Sequence, residues 1–203
     1  MLVWGCDKLG PWHCQVMESE MRRVLRWIAA DGGLEHAVLA ATVSGTLVEG
    51  VVVGADGGYP FGCCYAIRCD AQWRVRALDV HVVGGAALAL RADGAGLWHD
   101  ADGKPVSALA GCIDADLRCS AFTNTLPILR LGAALAQRHE IRVAYVDPLC
   151  LDEGAFAAAQ AYTCTAPGRY RFDSLESGFT AEIETDADGL VLRYPGLFER
   201  VPA

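Results

Sequence analysis

Two carboxylates stand two residues apart in the segment Gly111-Cys112-Ile113-Asp114-Ala115-Asp116-Leu117. In an extended chain Ile113, Ala115 and Leu117 share one face, while Cys112, Asp114 and Asp116 share the other. The two aspartates then lie about 6.5–7 Å apart at Cα, near enough to couple and raise one pKa. Such a pair suits general acid–base work, and the carboxyl separations of retaining and inverting glycosidases both fall within its reach. It equally suits a solvated strand face, or ion pairs with nearby arginines.

Other chemistry is thinner. Glu184-x-Asp186-x-Asp188-Gly189 begins like a calcium loop, but Pro195 occupies the position that needs a bidentate glutamate, so a hairpin turn is expected instead. A His-Glu-x-x-His motif, a nucleophile elbow and a phosphate-binding glycine loop are all missing. The nine cysteines contain no CxxC pair. Cys63 and Cys64 are adjacent, so on a strand they point to opposite faces and do not share a metal. The expected state is nine thiols that behave as small core hydrophobes, with no metal and no cofactor.

The elements that must position these residues are mostly strands. Turn dipeptides such as Asp56-Gly57, Gly84-Gly85, Asp93-Gly94, Asp102-Gly103 and Asp188-Gly189 recur at short intervals, and they supply the positive φ that tight hairpins require. Between them lie segments of β composition. In residues 179–186, Phe179, Ala181 and Ile183 alternate with Thr180, Glu182 and Glu184; residues 73–83 alternate similarly. One stretch breaks the rhythm. Residues 125–139, TLPILRLGAALAQRH, carry no turn dipeptide, place Pro127 in a first turn, and are apolar nearly all round. They predict one enclosed helix, capped by Thr123 or Thr125. The Ala-rich residues 153–161 suggest a further short helical piece.

Composition narrows the function. A chain of 203 residues with 53% hydrophobic content and a net charge of −8 folds around a core and offers no basic surface for nucleic acid or anionic lipid. No run approaches the ~20 apolar residues of a membrane span, and the start does not read as an export signal, which points to the cytoplasm. Residues 1–21 are expected to form a flexible extension and residues 22–203 a single domain.

A family resemblance rests on longer strings. Cys112-Ile113-Asp114-Ala115-Asp116-Leu117, then Phe122-Thr123-Asn124-Thr125-Leu126-Pro127-Ile128, resembles the signature of a bacterial family named for glycolipid binding. Gln160-Ala161-Tyr162-Thr163, the closing Tyr194-Pro195-Gly196-Leu197-Phe198 and the upstream Tyr65-x4-Asp70-x2-Trp73-Arg74 match as well. The chain departs from the pattern at Ser120-Ala121 and at Leu129. The resemblance implies a spiral β-roll, a long antiparallel sheet wrapped around a single α-helix. It also implies a shape similar to bacterial lipoprotein carriers, which hold acyl chains in an apolar cavity.

Three functional readings follow. The first is non-catalytic binding of a glycolipid or other amphiphile in a cavity with a polar mouth, with Asp114, Asp116, Thr123 and Asn124 as polar contacts and Tyr65, Trp73 and Tyr162 as stacking surfaces. The second is an enzyme acting on a lipid or sugar through Asp114 and Asp116. The third is a protein–protein interaction module with a filled core.

Overall fold

The computed structural model describes residues 21–202, so the extension expected over residues 1–21 lies, except for Met21, outside the described residues. Strands follow one another as Met21–Ala29 (β1), Leu34–Thr42 (β2), Gly45–Asp56 (β3), Tyr59–Asp70 (β4), Val75–Val82 (β5), Ala87–Ala92 (β6) and Trp98–His99 (β7). Asp114–Leu117 (β8) precedes the helix Thr125–Leu131 (α1), and His139–Val146 (β9), Phe156–Ala166 (β10), Arg169–Ser174 (β11), Thr180–Thr185 (β12), Val191–Tyr194 (β13) and Phe198–Arg200 (β14) complete the order. All fourteen belong to one sheet, in the order β7-β6-β5-β4-β3-β2-β1-β14-β13-β12-β11-β10-β9-β8.

Two hairpin meanders therefore meet where β1 pairs with β14. Every pairing is antiparallel except β8 with β9. That exception has a topological cause: the chain between these two strands passes through α1, and parallel neighbours need such a crossover. Just before β8, the Ile113 carbonyl accepts from the Val75 amide of β5 at 3.2 Å, so the far edge of the sheet docks back on the first meander. This closes the roll around the helix.

Hydrophobic alternation builds the interior. Trp27, Ala37, Val48, Ile67 and Ile183 all point inward and are buried. Trp27 and Trp98 each bury an indole whose N–H reaches a backbone carbonyl, Val191 at 3.0 Å and Cys112 at 2.8 Å. The turn at Asp186–Gly189 is a hairpin turn, as expected: Asp186 Oδ1 accepts from the Asp188 and Leu190 amides at 3.0 Å, and Gly189 sits against Leu129 of α1. Among the described residues no cluster of His, Cys, Asp or Glu could hold a metal ion, and no helix is long and apolar enough to cross a membrane.

Two expectations need correction. The α-helix stops at Leu131, because Gly132 takes φ 49°, and 3-10 turns flank it at Phe122–Asn124 and Gly132–Ala136. His139 opens a strand instead of closing the helix. The Ala-rich segment after Glu153 is strand β10, where burial against the helical segment and β9 overrides alanine's helical preference. Ala158 and Ala161 are buried there, on opposite faces of the strand.

Candidate functional site

Strand β8 is covered on both faces. Asp114 and Asp116 share one face, as alternation requires, yet each has its own partners. Asp114 is 0% exposed and takes a bidentate ion pair from Arg130 of α1, Nε to Oδ1 at 2.8 Å and Nη2 to Oδ2 at 2.6 Å. Asp116 accepts from Thr123 Oγ1 at 3.0 Å and from Gln160 Nε2 of β10 at 2.6 Å. Burial raises both carboxyls above the ordinary range. Arg130 opposes the rise at Asp114, and Gln160 and Thr123 oppose it at Asp116.

The helix entrance is also tied sideways. Thr123 and Asn124 do not cap α1, whose N-terminus has no side-chain cap. The Thr123 hydroxyl donates to Asp116, and Asn124 Oδ1 accepts from the Tyr162 hydroxyl at 3.0 Å. The crossover thus spends its polar side chains on holding β8 and β10 together.

A third buried acid, unforeseen in the sequence, lies nearby. Glu35 of β2 is 2% exposed and shares the inward face with Ala37 and Leu39. Its Oε1 accepts from the Tyr65 hydroxyl at 2.6 Å and from Ser120 Oγ at 2.5 Å, and its Oε2 from the Ala121 amide at 2.8 Å. Burial again dominates and raises its pKa, with these donors pulling the other way. Gly50 makes the arrangement possible. It faces Tyr65 across the β3–β4 pair, and a Cβ there would stand 2.2 Å from the Tyr65 ring. The signal was present: a lone carboxylate on the apolar side of an alternating strand.

These groups form the depth of a cavity of about 870 Å³, within the usual range for small-molecule sites. Glu35, Asp116, Asn124 and Gln160 line its floor, Asp116 half-buried and the other three buried. Aromatic walls rise from β11, β13 and β14, where Phe172 and Tyr194 meet edge-on at 5.9 Å and Tyr194 lies 6.4 Å from Phe198. Large apolar side chains stand at the rim, open to solvent: Leu34 is 56% exposed and Phe156 53%, with Leu149, Phe179 and Leu197 also exposed. At one side Arg118 bridges Asp56 at the end of β3 (2.5 Å) and Asp147 beyond β9 (2.6 Å). The opening thus mixes exposed apolar side chains with the charged Asp31, Asp56, Arg118, Asp147 and Glu176, above a floor of hydrogen-bonding groups.

Of the sequence candidates, Asp116 and Asn124 line the cavity directly. Thr123, Tyr162 and Tyr65 stand one hydrogen bond behind it, on Asp116, Asn124 and Glu35 respectively. Asp114 is sealed away with Arg130. Trp73 stands apart, in the β4–β5 turn with φ 61°, packed against the core and off the cavity lining.

Comparison with known proteins adds three findings. A family model described as "Putative glycolipid-binding" matches residues 24–200. A crystal structure of a DUF1089 family protein from Pseudomonas aeruginosa is similar, with 38% sequence identity, a TM-score of 0.72, and coverage of 82% of this chain and 92% of that one. No curated protein matches the chain.

Proposed function

We propose that this chain, a member of the family described as "Putative glycolipid-binding", binds a glycolipid or similar amphiphile without transforming it, head group on the cavity floor and tail across the rim. The observation that carries this reading is the polarity of the cavity: buried hydrogen-bonding groups at the bottom and exposed Leu34, Phe156 and Phe179 at the opening. A polyhydroxylated head offers donors to Asp116 and acceptors to the Asn124 amide. The apolar tail shields the rim from water. Each fully buried methylene contributes ~0.8 kcal/mol, so a dozen half-buried ones contribute about 5 kcal/mol before association costs.

The enzyme reading fits less well, because Asp114 is sealed by Arg130 and leaves Asp116 without its supposed partner in the cavity. The filled-core module does not account for the cavity.

The test is displacement of a fluorescent lipid by alkyl glycosides, with wild type and a Phe156→Asp, Phe179→Asp variant. Both substitutions sit on exposed rim positions, so folding is expected to survive. Wild type should bind and the variant should bind at least about tenfold more weakly, since two apolar contacts become charges. Equal binding by both, or no binding by wild type, contradicts the proposal.

A further inference from the structure

We infer that the cavity selects amphiphiles whose head group carries a protonated amine, and rejects phosphate, sulfate and carboxylate heads. This rests on the amphiphile-binding reading above and sharpens it.

The charge of the lining is one-sided. Six carboxylates (Asp31, Glu35, Asp56, Asp116, Asp147 and Glu176) line the cavity against one guanidinium, Arg118. That guanidinium is already engaged by Asp56 and Asp147. The two deepest acids, Glu35 and Asp116, are held only by hydroxyl, amide and backbone donors. Asp114 provides the internal contrast, because the fold gives that fully buried acid its own arginine. A buried carboxylate without a counter-charge is costly, and a ligand ammonium would provide one.

A second observation points the same way. Tyr194 is 5% exposed and lines the cavity, and its hydroxyl makes no side-chain hydrogen bond among the described residues and stays open to the cavity space. Its pKa is raised by burial and then by the charges of Asp116 and Tyr145, which places the phenol beside the floor carboxylate. With Phe172 against it, and Phe179 6.3 Å from both rings, the wall presents aromatic faces next to an anionic group. Carboxylate beside aromatic rings is the chemistry that recognises ammonium groups. An arriving cation also draws Glu35 and Asp116 toward the ionised state that burial opposes.

The experiment compares four amphiphiles of one chain length by isothermal titration: a dodecyl glucosaminide, its N-acetylated form, a dodecyl glucoside and dodecyl phosphate. The amine should bind at least about tenfold more tightly than its N-acetyl counterpart, and the phosphate should not bind. Raising the salt should leave this preference largely intact, because buried charges are poorly screened. In Asp116→Asn the affinity ratio of the amine to its N-acetyl form should fall toward one, whatever happens to the absolute affinity of either. Equal affinity for amine and N-acetyl forms, or tightest binding of the phosphate, overturns the inference while amphiphile binding stands. Failure of all four to bind overturns the underlying reading instead. The wild-type panel decides even if the variant does not fold.

Discussion

Replacing Arg130 by Met tests the link between the helix and the floor of the cavity. The substitution keeps most of the apolar stem and removes the guanidinium that grips Asp114 through contacts of 2.8 and 2.6 Å. Asp114 is 0% exposed, so no water replaces the lost partner. Removing one member of a buried pair costs about 3–5 kcal/mol, since the other charge is left uncompensated. Asp114 can relieve part of that by taking a proton, which its raised pKa already favours. The expected loss is therefore about 3 kcal/mol at neutral pH, smaller in mild acid. With a urea dependence of ~2–3 kcal/mol per molar, the unfolding midpoint should fall by about 1 M or more. Adding Asp114→Asn should recover roughly half, because the orphan charge is gone. Asp116 is two residues along the same strand, so the single variant should also weaken amphiphile binding. A midpoint shift under ~0.3 M, or a double variant no more stable than the single one, would show that the Arg130–Asp114 pair does not hold the helix to β8.

Gly50→Ala should destabilise by about 1–3 kcal/mol, because its Cβ would meet the Tyr65 ring at 2.2 Å and push the phenol off Glu35; an unchanged melting temperature counts against that. Leu135→Ala should cost about 2–5 kcal/mol, since Leu135 is fully buried, and more than Leu131→Ala, whose side chain is half-buried; chemical unfolding that reverses this order contradicts the helix placement. Burial raises the pKa of both Glu35 and Asp116 in the folded state, so each binds its proton more tightly folded than unfolded. Their contribution to stability is thus fullest below the ordinary values of 4.5 and 3.8 and declines as pH rises through the raised ones. Asp70 and Asp93 shift downward, so their opposite effect lies below that window. Melting curves should accordingly show wild type losing stability from pH ~5 upward, with a shallower slope in Glu35→Gln; a slope of the opposite sign would exclude the assignment.

Local rules carried the sequence reading a long way. Asp-Gly and Gly-Gly dipeptides marked hairpin turns, and alternation placed Ile183 inward and Glu182 outward. The single apolar crossover was legible as well, although Gly132, a residue type that commonly ends helices, could have fixed its C-terminus. The site was legible only in part, because its contacts join distant positions. Asp116 meets Gln160 across 44 residues, and Tyr162 meets Asn124 across 38. Neither partner can be found without the register of β8, β9 and β10. Trp73 read as one more residue of an alternating strand, yet its positive φ puts it in the turn before that strand. Glu35 was within reach, since Glu35, Ala37 and Leu39 form the inward row of β2. What hid it was that Tyr65, Ser120 and Ala121 come from elsewhere in the chain to satisfy it.

On the proposed function, an amphiphile occupies the space between the Glu35–Asp116 floor and the Phe156–Phe179 rim. Native mass spectrometry of the wild-type protein incubated with a dodecyl glycoside, beside the Phe156→Asp, Phe179→Asp variant, tests this most directly. The predicted result is a saturable adduct of one ligand per chain in wild type and little or none in the variant. Wild type free of adduct at every ligand concentration, or an adduct that the rim substitutions leave untouched, would contradict the claim.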